Sequence, residues 1–306
     1  MPRRPFLAPT IVLIAITLPM ATRIGLAQPQ QVSAARLHVS VEIDPHGVFL
    51  YKYSVENGAG STTGISKITI DLSVPAGTSA PSASGLAHGP GYFAEPSTGS
   101  RNPRAGAAVP VGLSAPQPGW RTTVGADAAA RWVAVNDKSF VLPKQRIAGF
   151  SIASHGPPSL RRFTLAPHID AERAPIMEPG DDPGEADRYK QDFDQYVESR
   201  SVTGMTLAPA AMGTVTADAL LANLASQVAP ARSLRWISSD ATARNLTDKL
   251  QAARAAISRH QSEVAENILR GLRTEAAAQS GKRLTSEAVV LVDMNIQYAL
   301  RLVANP

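Results

Sequence analysis

ARLHVSVEIDPHGVFLYKYSVEN, residues 35–57, decides how the first half of this chain folds. Leu37, Val39, Val41 and Ile43 alternate with polar residues, and so do Phe49, Tyr51, Tyr53 and Val55. A period of two puts each set on one face of a strand. Asp44-Pro45-His46-Gly47 lies between them, a turn with Pro at its second position. The stretch therefore predicts an antiparallel hairpin with one apolar face.

The same pattern continues outward. ISKITIDLSV (65–74), WRTTV (120–124), RWVAV (131–135), QRIAGFSIAS (145–154) and SLRRFTLAP (159–167) read as further strands. Short strands parted by turn signals, with no helical periodicity between them, predict an antiparallel β-sandwich over 28–166. Residues 75–118 are rich in Gly, Pro, Ser and Ala and too long for an ordinary connection. They predict irregular structure with one short strand near Tyr92-Phe93.

The periodicity changes after Thr216, which is expected to cap a helix carrying Leu220, Leu221, Leu224 and Val228, with Pro230 as its end. Ser239 or Asp240 opens a second, where Leu246, Leu250, Ala253 and Ile257 form a stripe. Ser262 is expected to cap a third, with Val264, Ile268, Leu272 and Ala276 inward and Gly281 as a left-handed stop. Thr285 caps a fourth, with Ala288, Leu291, Val292, Tyr298 and Leu302 on its apolar side. Short connections predict an antiparallel bundle over 214–306. The fold class is thus α+β multidomain, a sandwich followed by a helical bundle. Residues 167–213 read as an acidic linker with one short helix near 185–198 and an extended SVTGMTLAP.

The first 27 residues read as an export signal. Arg3 and Arg4 precede a short apolar run, TIVLIAITL, and Gly25-Leu26-Ala27 offers small residues for cleavage. Pro9 and Pro19 bracket that run, which is shorter than the roughly 20 apolar residues a bilayer span needs. The expected location is secreted, periplasmic or cell-surface, with no stable membrane insertion after cleavage. The chain has no Cys, which excludes disulfides and thiol chemistry and suits a bacterial exported protein held by packing alone.

Charge narrows the partners. Residues 28–166 carry 12 basic and 7 acidic groups, 167–213 carry 4 and 10, and 214–306 carry 11 and 8. No block has the dense basic run of a nucleic-acid binder. The acidic middle segment is free to lie against one of its basic neighbours.

Catalytic patterns are missing. No two of His38, His46, His88, His155, His168 and His260 have ligand spacing on a helix. Glu178, Asp181, Asp182, Glu185 and Asp187 lack the order of a calcium loop. Gly149-Phe150-Ser151-Ile152-Ala153 lies inside a strand pattern and lacks the final Gly of a nucleophile elbow. Glu42, Asp44, Glu56, Asp71, Asp127 and Asp137 are carboxylates that nothing pairs. No catalytic, metal or cofactor residue is therefore assigned, and no cofactor is expected. Tyr51, Trp120 and Trp132 are candidate ligand-contact aromatics if exposed, and core residues if not. Trp236, Gly281 and Asn295 are expected to be structural, Asn295 bonding buried backbone near the chain around Trp236.

The helical region also resembles the FIMAH domain family, helical modules at the C-terminal ends of exported, mostly bacterial proteins. The resemblance rests on Leu246, Lys249-Leu250, Ala253, Ala265, Gln279-x-Gly281-Lys282, Leu284-Thr285, Ala288, Asn295 and Tyr298. Val202-Thr203-Gly204-x-Thr206-x-x-Pro209 resembles the lead-in of such proteins, and the match covers about a quarter of the chain. It implies a non-catalytic accessory. The expected function is surface or extracellular interaction with an unknown partner, polysaccharide among the options. The alternatives are a carbohydrate-binding module and an unrecognised extracellular hydrolase.

Overall fold

The computed structural model describes residues 30–73, 110–116, 119–125, 127–170, 183–210 and 215–304. The export signal, the strand expected at Tyr92-Phe93 and the carboxylates of Glu178, Asp181 and Asp182 lie outside them.

Among the described residues, two antiparallel sheets and five α-helices make a mixed α and β structure. One sheet has the order β1 (Arg36–Ile43), β2 (Phe49–Glu56), β7 (Arg146–Ser154), β4 (Gly112–Ser114). The other has the order β5 (Trp120–Val124), β6 (Ala129–Ala134), β3 (Ile65–Asp71), β8 (Pro158–Pro167), β9 (Val202–Pro209). The opening hairpin forms in the expected register, with Val41 opposite Tyr51 and Val39 opposite Tyr53. Rings from the two sheets meet: Trp132 of β6 approaches both Tyr53 and Phe150 at 6.0 Å between centroids.

Residues 202–209 are not a linker strand left to itself. They pair along β8 as the edge of the five-stranded sheet, from Leu165 opposite Val202 to Pro158 opposite Pro209. Before them α1 (Pro183–Ser199) rests against β8.

The remaining helices are α2 (Ala217–Ser233), α3 (Asp240–Ser258), α4 (Ser262–Ala278) and α5 (Ser286–Ala304). α2 packs on α3 and α5, and α4 packs on α3 and α5. Thr216 and Ser239 cap as expected, each accepting from the amide three residues on. Three expectations need correction. Pro230 does not end α2, which runs to Ser233, because a proline in the last turn removes only one amide donor. Ser262 is the first residue of α4, behind Gln261, and makes no cap. The buried face of α4 is Ala265, Leu269, Leu272 and Ala276, while Val264 is exposed.

One apolar cluster runs through both halves, from Phe49, Tyr51 and Leu207 in the sheets to Leu220, Leu291 and Ile296 in the helices. The helices meet the sheets at the β1–β2 turn and the start of β8. There Tyr298 stands edge-on to Phe49 at 5.3 Å, and Arg301 Nη1 donates to Asp44 O at 3.1 Å.

Candidate functional site

The three candidate aromatics are not exposed platforms. Tyr51 and Trp132 are fully buried and Trp120 is 7% exposed. They occupy the inward half of the strand alternation, where burying a ring removes its large apolar area from water. Trp120 stands T-shaped on Phe150 at 5.0 Å. Tyr51 donates its hydroxyl to Gly156 O at 2.6 Å, and Tyr53 donates to Leu207 O at 3.0 Å. Burial raises both phenols well above their ordinary pKa.

The structural residues fall as follows. Gly281 has φ +70°, and its amide donates to Leu284 O at 2.9 Å. Trp236 is half-buried, and its carbonyl accepts from Thr285 N at 2.9 Å. Asn295 is fully buried and donates to Leu291 O at 2.8 Å and Pro158 O at 2.9 Å. Its partner across the interface is therefore the start of β8, not the chain around Trp236. That crossing is instead made by backbone, through Thr285 N and the Ile237–Leu284 bridge. A second buried amide works beside it: Gln227 Oε1 of α2 accepts from Leu160 N at 2.8 Å.

The outward half of each strand leaves two polar faces. On the four-stranded sheet, His38, Ser40, Lys52, Ser54, Arg146 and Ser151 line a shallow depression of about 470 Å³. Its charged groups are already engaged. Lys52 pairs with Glu42 at 2.7 Å, His38 lies 3.4 Å from Glu56, and Arg146 donates to Ser54 Oγ at 2.8 Å. Ser151 Oγ, the serine of the near-elbow motif, shares a 2.6 Å hydrogen bond with Ser114 Oγ on this face.

The five-stranded sheet differs. Its register aligns Thr123, Arg131, Thr69, Thr164 and Thr203 in one row across all five strands. Strand spacing sets neighbours in such a row about 4.8 Å apart. A second row on the same face places Arg121 and Lys67 on either side of Val133, with Ala166 beyond. Arg162, opposite Met205, is exposed near the same rows. The four threonine hydroxyls, Lys67, Arg121 and Arg162 make no side-chain hydrogen bond or ion pair among the described residues. Arg131 is held by Asp127, whose carboxyl stays below its ordinary pKa mainly because Arg131 donates to it. Asp71, two residues beyond Thr69 on β3, accepts from Ser73 N at 2.8 Å.

This row is not legible in the sequence. Its signal is the polar half of alternations already noted, Lys67-x-Thr69 and Arg121-x-Thr123, but the alignment of distant strands is not encoded locally.

Among the described residues, no His, Asp and Glu cluster is placed to hold a metal ion, and no helix is long and apolar enough to cross a membrane. No protein-family model matches the chain, and no curated protein matches it.

Proposed function

We propose that this is an exported, non-catalytic binding protein of bacterial type. Two sheets stacked as a sandwich present the contact surface, and α2–α5 form a bundle akin to the FIMAH modules that steadies it. The contact surface is the outer face of the five-stranded sheet. One observation carries the reading: a five-strand row with four threonine hydroxyls, and Lys67, Arg121 and Arg162 beside it, none with a side-chain hydrogen bond or ion pair among the described residues. Unpaired exposed donors are available to a ligand at little desolvation cost, whereas the paired charges of the other sheet would first have to separate. The helical resemblance and the signal pattern of the first 27 residues support an extracellular setting. The carbohydrate-binding alternative survives only without its aromatic platform, because Tyr51, Trp120 and Trp132 lie in the core.

The test is retention of labelled protein on washed bacterial cells and on their extracellular matrix. Replacing Thr69 and Thr164 by Glu should abolish retention and leave the melting temperature within about 2 °C, as for surface changes generally. Equal retention by the double variant would refute the assigned face. Hydrolytic turnover lost through one point substitution would refute the non-catalytic reading.

A further inference from the structure

The outer face of the five-stranded sheet carries more than a generic stickiness. We infer that it binds an acidic polysaccharide, a chain of linked sugars bearing carboxylate or sulfate groups. This rests on the proposed binding role of that face and names its ligand.

Charge supplies the sign. Lys67, Arg121 and Arg162 are exposed and without ion-pair partners among the described residues, and Arg131 stands in the threonine row itself, between Thr123 and Thr69. Asp127 is consumed by Arg131, and Asp71 is partly shielded by its bond to Ser73 N. The helix α1, which rests against β8, carries exposed Glu185, Asp187, Asp192, Asp194 and Glu198 against two cations, Arg188 and Lys190, a net charge of −3 (five acidic, two basic). The cations without partners therefore stand on β5, β3 and β8, Arg121, Lys67 and Arg162. A polyanion would be steered onto those strands.

Spacing supplies the polymer. Arg121 and Lys67 sit two strands apart in register, about 9–10 Å at ordinary strand separation. Successive groups in the threonine row are one strand apart, close to the repeat of a linked pyranose. A sugar chain laid across the strands would meet one hydroxyl or guanidinium per residue, with its acidic groups reaching Lys67 and Arg121 in the adjoining row. Threonine hydroxyls both donate and accept, which suits sugar hydroxyls.

Competing polyanions fit less well. Single-stranded nucleic acid is held largely by stacking on aromatic rings, and the rows contain none. An anionic membrane surface favours apolar or aromatic groups that enter the interface, and the rows offer only Val133 as an exposed large apolar side chain.

The experiment is affinity electrophoresis and calorimetry of the full chain with polygalacturonate, dextran sulfate and neutral dextran. A single-stranded oligonucleotide and phosphatidylglycerol vesicles serve as competing probes. Polygalacturonate or dextran sulfate should bind, more weakly as salt rises, and dextran should not. The triple variant Lys67→Gln, Arg121→Gln, Arg162→Gln should lose at least about tenfold in affinity, as expected for removing several charge-assisted contacts. Lys52→Gln on the other sheet should bind as the parent does, whereas Lys67→Gln alone, an equal change of net charge, should weaken binding. Equal, salt-insensitive binding of dextran and polygalacturonate would overturn the acidic ligand and leave the binding role intact. Tighter binding of the oligonucleotide or vesicles would overturn the polysaccharide. Failure of every probe to bind would overturn this inference, while retention on cells tests the role of the face independently.

Discussion

Asn295 Nδ2 donates to Pro158 O at 2.9 Å, joining the last helix to the first residue of β8 across 137 positions of sequence. Both groups are buried, so the bond forms where water cannot replace it. Removing the amide leaves the Pro158 carbonyl without that donor, at a cost of about 1–3 kcal/mol. Asn295→Leu should therefore lower the unfolding free energy from denaturant titration by that amount. Unchanged or higher stability would show that the amide is only tolerated.

Gln227 holds the same strand two residues further on, at Leu160 N. Gln227→Ala should cost a similar 1–3 kcal/mol, roughly, by orphaning a backbone donor. Hydrogen exchange offers a local readout, because the Leu160 amide should lose protection more than its neighbours in β8. Both amides fix one strand end, so the double variant with Asn295→Ala should depart from additivity by about 0.5 kcal/mol or more. Strict additivity would mean that the helices grip β8 at two independent points.

Two glycines of the helical half should respond oppositely to alanine. Gly271 lies exposed in the interior of α4 with open space where a Cβ would stand. Gly271→Ala should raise stability by about 0.5–1 kcal/mol through helix propensity. Gly281 also has open space, but its φ of +70° is disfavoured for any residue with a Cβ. Gly281→Ala should cost about 1 kcal/mol. Thermal melts of the two variants check the pair, and shifts of the same sign would contradict it.

The buried phenols of Tyr51 and Tyr53 set an alkaline limit. Their pKa values are raised well above 10.0 by burial, so the unfolded chain releases these protons more readily than the folded one. The stability they confer is present below the unfolded pKa and is lost as pH rises beyond it. Spectrophotometric titration should show the ionisation of these two rings lagging until near-ultraviolet circular dichroism collapses. Smooth ionisation in a folded chain would contradict their burial.

Much of this architecture can be traced to local pattern. Leu37 to Ile43 and Phe49 to Val55 alternate so regularly that strand, turn and inward face follow from period two. The caps Thr216 and Ser239 were legible for the same reason, since capping acts over three residues. The face of α4 was not, because Val264-Ala265 and Ile268-Leu269 offer two apolar stripes one residue apart, and only tertiary packing selects between them. Val202–Pro209 reads as extended in the sequence, but its place in a sheet does not, because its partner β8 lies on the other side of α1 in the chain. The candidate face was the least legible part. Thr69, Thr123, Thr164 and Thr203 become neighbours through register alone, which depends on four strand pairings at once.

The location of a bound acidic polysaccharide tests the functional reading most directly. Amide spectra of the isotopically labelled protein titrated with short polygalacturonate should shift at Lys67, Thr69, Arg121, Arg131 and Thr164, and stay still at Ser40, Lys52 and Ser151. Shifts confined to the four-stranded sheet, or to the helices, would contradict the assignment of the five-stranded face.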